Sequence, residues 1–86
     1  SITINKIYPN PFNPVTNIDF YVPNAANIKV NILNIAGQKV KEIVNESFSS
    51  GNYNLQIDGS DLSSGVYFIE LSDGLSVEYS KIILLK

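Results

Sequence analysis

Residues 8–22, YPNPFNPVTNIDFYV, join a proline-rich run to a strictly alternating one, and the reading of that junction decides the fold. From Val15 onward the pattern has a period of two: Thr16, Ile18, Phe20 and Val22 fall on one face of an extended chain, which is the signature of a half-buried strand. Pro23 ends it. Upstream, Pro9, Pro11 and Pro14 lack backbone donors, and each pushes the residue before it out of the α region, so no strand ladder is expected there. The segment is predicted to be an extended elbow that carries the chain out of one sheet and into the other, with Phe12 as a plug on the end of the core. Three prolines interleaved with asparagine and flanked by Tyr8 and Phe12 exceed what such a turn requires. The excess suggests a segment that something else reads.

The same period of two recurs along the rest of the chain, and helical spacing does not. Seven short strands are predicted. The first runs from about Ile2 to Tyr8, the second holds the face just named, and the third presents Ile28, Val30 and Ile32. Asn34-Ile35-Ala36-Gly37 has asparagine and glycine at the first and fourth positions of a type I turn, which leads into a fourth strand over Gln38 to Val44. Residues 45–50 read as a polar loop, Gly51 to Ile57 as a fifth strand, Asp58 to Gly65 as a turn-rich connection, Val66 to Leu71 as the sixth strand and Leu75 to Leu85 as the seventh.

Register in the last hairpin follows from keeping apolar residues on one face. A two-residue Asp73-Gly74 loop would set Ile69 against Glu78. A three-residue loop, Ser72-Asp73-Gly74 with Gly74 left-handed, pairs Leu71 with Leu75, Ile69 with Val77 and Tyr67 with Tyr79, and is the predicted arrangement. The closing segment KIILLK, residues 81–86, is apolar on both faces, so its strand is expected inside a sheet with neighbours on each side. Seven strands punctuated this regularly predict an all-β, immunoglobulin-like antiparallel β-sandwich, with a small barrel as the alternative.

Composition narrows the function. The 86 residues, 1–86, are expected to form a single domain around one core, since a chain of this size buries only about 60–65% of its unfolded surface. The sequence has no methionine, which fits a module of a longer protein. Six lysines, no arginine and eight acids give a net charge of −2 with no basic stripe, so no nucleic-acid partner is expected. No apolar run approaches the roughly 20 residues that cross a bilayer as a helix, and no transmembrane segment is predicted. With no histidine, cysteine or arginine, the common proton shuttle, thiolate nucleophile and bidentate anion clamp are all missing, and no catalytic residue, cofactor or metal is assigned.

Five pieces in order resemble a known family: Tyr8-Pro9-Asn10-Pro11-Phe12-Asn13-Pro14; Thr16, Ile18 and Phe20; Gly37, Gln38 and Val40; Ser64-Gly65-Val66-Tyr67-Phe68; and Lys81 with its apolar run to Lys86. Together they look like the type A C-terminal sorting domain of the bacterial type IX secretion system, and they also resemble the immunoglobulin-like domain of flagellar hook-capping proteins. Leu33 and Ile57 depart from the pattern, standing where relatives are expected to carry tyrosine and tryptophan. The resemblance implies a non-catalytic tail on a larger cargo protein of a Gram-negative bacterium. That cargo would reach the periplasm, pass the outer-membrane type IX translocon, and be released or attached at the cell surface, with a sortase-like processing peptidase removing the tail. Carried onto this chain, the partner-binding candidates are Tyr8, Pro9, Asn10, Pro11, Gly37, Gln38, Gly65, Val66, Tyr67, Lys81 and Lys86.

Each candidate also has a purely structural reading. Gly65-Val66-Tyr67 can start a strand with the tyrosine packed inward, and residues 81–86 can be plain core strand. Asp58-Gly59-Ser60-Asp61 lacks the spacing of an EF-hand loop and reads as a turn with solvated acids. The competing functional reading is a structural immunoglobulin-like spacer or adhesion module of a surface or flagellar protein. A carbohydrate-binding module would need a row of outward aromatics, for which only Tyr21 and Phe68 qualify.

Overall fold

In a computed structural model, which describes all residues 1–86, the chain folds into seven antiparallel strands: β1 (Thr3–Tyr8), β2 (Val15–Val22), β3 (Ala26–Leu33), β4 (Lys39–Phe48), β5 (Gly51–Asp58), β6 (Gly65–Ser72) and β7 (Val77–Leu84). They form two sheets, β1-β2-β5 and β4-β3-β6-β7, packed face to face as a sandwich. The face predicted for β2 is the buried one: Thr16, Ile18, Phe20 and Val22 are sealed from solvent, as are Ile28, Val30 and Ile32 of β3. Ile57, Ile69, Leu71, Ile82 and Leu84 complete the layer between the sheets. Burial of the apolar side chains among these stabilises each by about 1.5–3 kcal/mol relative to exposure, which is what holds so small a chain together without disulfides.

Four expectations are corrected. The elbow does not change sheets, because β1 and β2 are neighbours in the same one. Residues 45–48 are strand rather than loop, since β3 offers partners as far as Ala26, which pairs with Phe48. The nearest irregularity in that pairing lies at Ile43, opposite Val30 and Asn31; residues 45–48 pair regularly, and the stretch reads as polar because Asn45, Glu46 and Ser47 are exposed on an edge strand. Phe48 is anchored by edge-on packing against Tyr53 and Phe20, with ring centres 4.8 and 5.7 Å away.

The third correction concerns the β6–β7 register. Ser72 pairs with Val77, Ile69 with Ser80 and Tyr67 with Ile82, which leaves a four-residue loop, Asp73 to Ser76. Gly74 does take a left-handed conformation, with φ of 89°. The loop is wider than predicted because the Asp73 carboxylate accepts from the amides of Leu75 and Ser76 at 2.9 and 2.7 Å, folding the turn around itself. Leu75 is consequently 97% exposed, and Ile82 and Leu84 face the core in place of Val77 and Tyr79.

Fourth, β7 is an edge strand, not an internal one. Its neighbour on the open side is the proline segment. Phe12 forms an isolated parallel bridge with Leu84, donating to the Ile83 carbonyl at 2.9 Å and accepting from Leu85 at 3.0 Å. Asn10 extends the cover with its side chain: Nδ2 donates to the Lys81 carbonyl at 3.0 Å, and Oδ1 accepts from the Ile83 amide at 2.9 Å. A primary amide thus does the work of a peptide group where Pro11 has no donor to offer. Farther up the same side, the edges of the two sheets meet, and Glu78 of β7 accepts from the Ile4 amide of β1 at 2.9 Å.

Candidate functional site

Strand parity fixes the arrangement of the candidates. Each odd-numbered strand runs away from Ser1, so the β1–β2, β3–β4 and β5–β6 connections and the chain end at Lys86 all lie at the end of the sandwich opposite Ser1. That end carries every candidate segment: residues 8–11, Gly37 and Gln38, Gly65 to Tyr67, and Lys81 to Lys86.

Three of these four segments interlock. The proline segment is tied to β7 as described, and the prolyl bonds Tyr8-Pro9, Asn10-Pro11 and Asn13-Pro14 are all cis. Thr16 donates its hydroxyl to the Pro9 carbonyl at 2.7 Å, holding the segment to the start of β2. Phe12, 2% exposed, fills the end of the core as predicted. Lys86 closes the other side: its amide donates to Ser64 Oγ at 2.9 Å and its ammonium to the Ser60 carbonyl at 2.6 Å. Tyr67 packs inward at the start of β6 and returns its hydroxyl to the Ser63 carbonyl at 2.6 Å, the tyrosine-corner arrangement typical of immunoglobulin-like sandwiches.

Gly59, predicted to lie in a turn with solvated acids, is the pivot of this assembly. Its amide donates to the Pro14 carbonyl at 2.7 Å, and a Cβ there would sit 3.1 Å from Phe12 Cε2 and 3.3 Å from both Leu84 Cδ2 and the Pro14 oxygen. Glycine lets the β5–β6 loop come this close to the proline segment without crowding Phe12, Leu84 and the Pro14 carbonyl. The Asp-Gly dipeptide marks a turn in the sequence, but the approach that demands glycine is between elements distant in the chain. On either side of it, the Asp58 carboxyl is held below its ordinary range by the amide and hydroxyl of Ser60, and Asp61 by the Lys41 ammonium 2.9 Å away. These acids are engaged with an amide and a lysine, and no group of three or more acidic side chains gathers as a metal site.

The β3–β4 turn stands apart from the interlocked segments. Asn34 organises it alone, accepting at Oδ1 from Ala36 and Gln38, both at 3.0 Å, and donating from Nδ2 to Gln38 Oε1 at 2.9 Å. Gly37 is left-handed, with φ of 81°, and its amide closes the predicted turn onto the Asn34 carbonyl at 2.9 Å. Beside this turn, on the outer face of the four-stranded sheet, Leu33, Ile35, Phe68 and Tyr79 border an open depression of about 410 Å³. The Tyr79 phenol donates to Glu70 at 3.1 Å, and that carboxylate raises the phenol's pKa.

Tyr8 is the candidate that points elsewhere. Its ring lies on the outer face of the three-stranded sheet, under the Lys6 ammonium 4.6 Å from the ring centre, and its hydroxyl accepts from Asn54 at 3.1 Å. Over residues 6–85 the chain matches the family described as the secretion system C-terminal sorting domain. The chain belongs to that family. It is a C-terminal sorting domain of the type IX secretion system, and it folds as a β-sandwich. Neither the curated proteins nor the solved structures yielded a match to it.

Proposed function

We propose that the end of the sandwich opposite Ser1 is the surface by which the export apparatus holds this sorting domain. In this reading the domain is a non-catalytic tail of a larger cargo protein. The outer-membrane type IX translocon engages the motifs at Tyr8 to Pro11, Gly37 and Gln38, Gly65 to Tyr67, and Lys81 to Lys86. A sortase-like peptidase then removes the tail, and the cargo is released or attached at the cell surface. One observation carries the reading: segments as far apart in sequence as Asn10 and Lys81 are bonded side by side at a single end of the fold, away from Ser1. A linear signal would need no such assembly, whereas a folded one must be assembled before it can be read.

The test is to fuse residues 1–86 to a periplasmic reporter in a type IX host. Export of the reporter is the expected result, with loss of export for a variant in which Lys86 and Lys81 are both alanine and which still folds by circular dichroism. A wild-type fusion that stays in the periplasm would overturn the reading, and full export of the double variant would remove the lysines from the surface.

A further inference from the structure

A two-sheet sandwich has four edge strands, and an edge left bare invites another strand unless something blocks it. Three of the four are blocked here. The edge of β7 is taken by Asn10 and Phe12. β1 is bulged between Ile4 and Lys6, carries that lysine, and has its Ile4 amide capped by Glu78. β4 is irregular at two places along its pairing with β3 and bears Lys39, Lys41, Glu42 and Glu46.

β5 has none of these devices. It pairs with β2 over eight consecutive positions, Gly51 to Asp58, without a register shift. Residues 51–57 include no charged side chain and no proline. The Lys41 ammonium reaches across to the Asp58 carbonyl at 2.7 Å, at the very end of the strand, and leaves the stretch from Asn52 to Ile57 open. The flank of the core beneath that stretch is also incompletely closed, with Tyr53, Leu55 and Ile43 only half-buried although each packs against the core.

A strand added to this edge would have to satisfy both faces of the sheet. Toward the core it must continue the row of Tyr53, Leu55 and Ile57 with apolar side chains. Toward solvent it must lie beside Asn52, Asn54 and Gln56, where uncharged amides can hydrogen-bond from strand to strand. β5 itself meets both demands. We propose that the open edge is a self-recognition surface, on which a second copy of the chain pairs β5 against β5 antiparallel across a twofold axis. The result is one continuous six-stranded sheet. Centred on Asn54 or on Leu55, such a pair sets inward residues against inward ones and places Asp58 opposite Ser50 or Asn52, so no like charges meet. With a net charge of only −2 per chain, long-range repulsion between the copies is slight.

Sedimentation velocity of the 86-residue chain over a micromolar to millimolar series tests this, alongside hydrogen exchange read residue by residue. The expected result is a concentration-dependent dimer, with protection rising selectively at the amides of β5. In a variant carrying Asn54→Lys and Gln56→Lys, lysines face lysines in either register, and the dimer should weaken by roughly tenfold or more. Mixing it with a partner carrying Asn54→Glu and Gln56→Glu should restore association as a heterodimer, a rescue that a merely misfolded variant could not show. A chain that stays monomeric throughout the series, protection at another strand, or a dimer indifferent to the lysines would each overturn the proposal.

Discussion

Asn10 and Gly59 show how much a single residue can settle in a chain this short. Asn10 serves the β7 edge with both ends of its amide, so Asn10→Ala removes two hydrogen bonds at a partly solvated site and should destabilise the fold by about 1–2 kcal/mol in urea unfolding. Asn10→Asp, which keeps the acceptor and loses the donor to Lys81, should fall between the two. Gly59→Ala brings a methyl group into contact with Phe12, Leu84 and a backbone oxygen together, at a cost of about 1–3 kcal/mol by the same measurement. Asp73 gives the acid response. The amides of Ser76 and Leu75 hold its carboxyl below the ordinary value of 3.8, so its contribution is complete above that value and is lost as pH falls through the lower folded-state pKa. Thermal unfolding from pH 5 downward should therefore show a shallower acid decline for Asp73→Ala than for the wild type. Asparagine at position 10 is legible in the sequence as part of a motif. Its pairing with a strand more than 70 residues away is not, because no local pattern encodes that contact.

At the scale of elements, the strands follow from alternation and the register of β7 does not. β2 could be placed because only one phase of its alternation is apolar: Thr16, Ile18, Phe20 and Val22 against Asn17, Asp19 and Tyr21. In β7 both phases are apolar in part, with Leu75, Val77 and Tyr79 favouring one face and Ile82 and Leu84 the other. The contest is decided at the closed end, where Ile82 and Leu84 complete the core beside Phe12, and the Asp73 turn absorbs the difference in length. Asp73→Ala thus tests the loop as well as the acid limb. The proline segment is likewise an element, a cover rather than a connector. Phe12→Ala should cost about 3–5 kcal/mol in chemical unfolding, since it empties the end of the core and loosens the strand it covers. A loss below about 1 kcal/mol would mean that the edge holds without its plug.

For the whole molecule, the order of strands matters more than any one of them. Seven strands that alternate in direction place Ser1 and Lys86 at opposite ends of a body 36 Å long, so a cargo attached ahead of Ser1 stands clear of the surface proposed for export. Truncating residues 82–86 should unfold the domain rather than merely silence it, because Ile82 and Leu84 are fully buried; circular dichroism of the truncated chain checks this. Point changes at Lys81 and Lys86 are the cleaner probe of signalling, since their side chains lie at the surface.

The sequence by itself determined the all-β class, the number of strands, the Asn34 to Gly37 turn, the inward face of β2 and the family, because periodicity, turn chemistry and motif order are local properties of a chain. Tertiary structure decided which strands lie at the edges, what covers them, the register of the final hairpin and the close approach of the β5–β6 loop to the proline segment at Gly59. Those features depend on contacts between residues far apart in sequence, where the shape of a shared core, not the pattern of any one segment, selects the outcome.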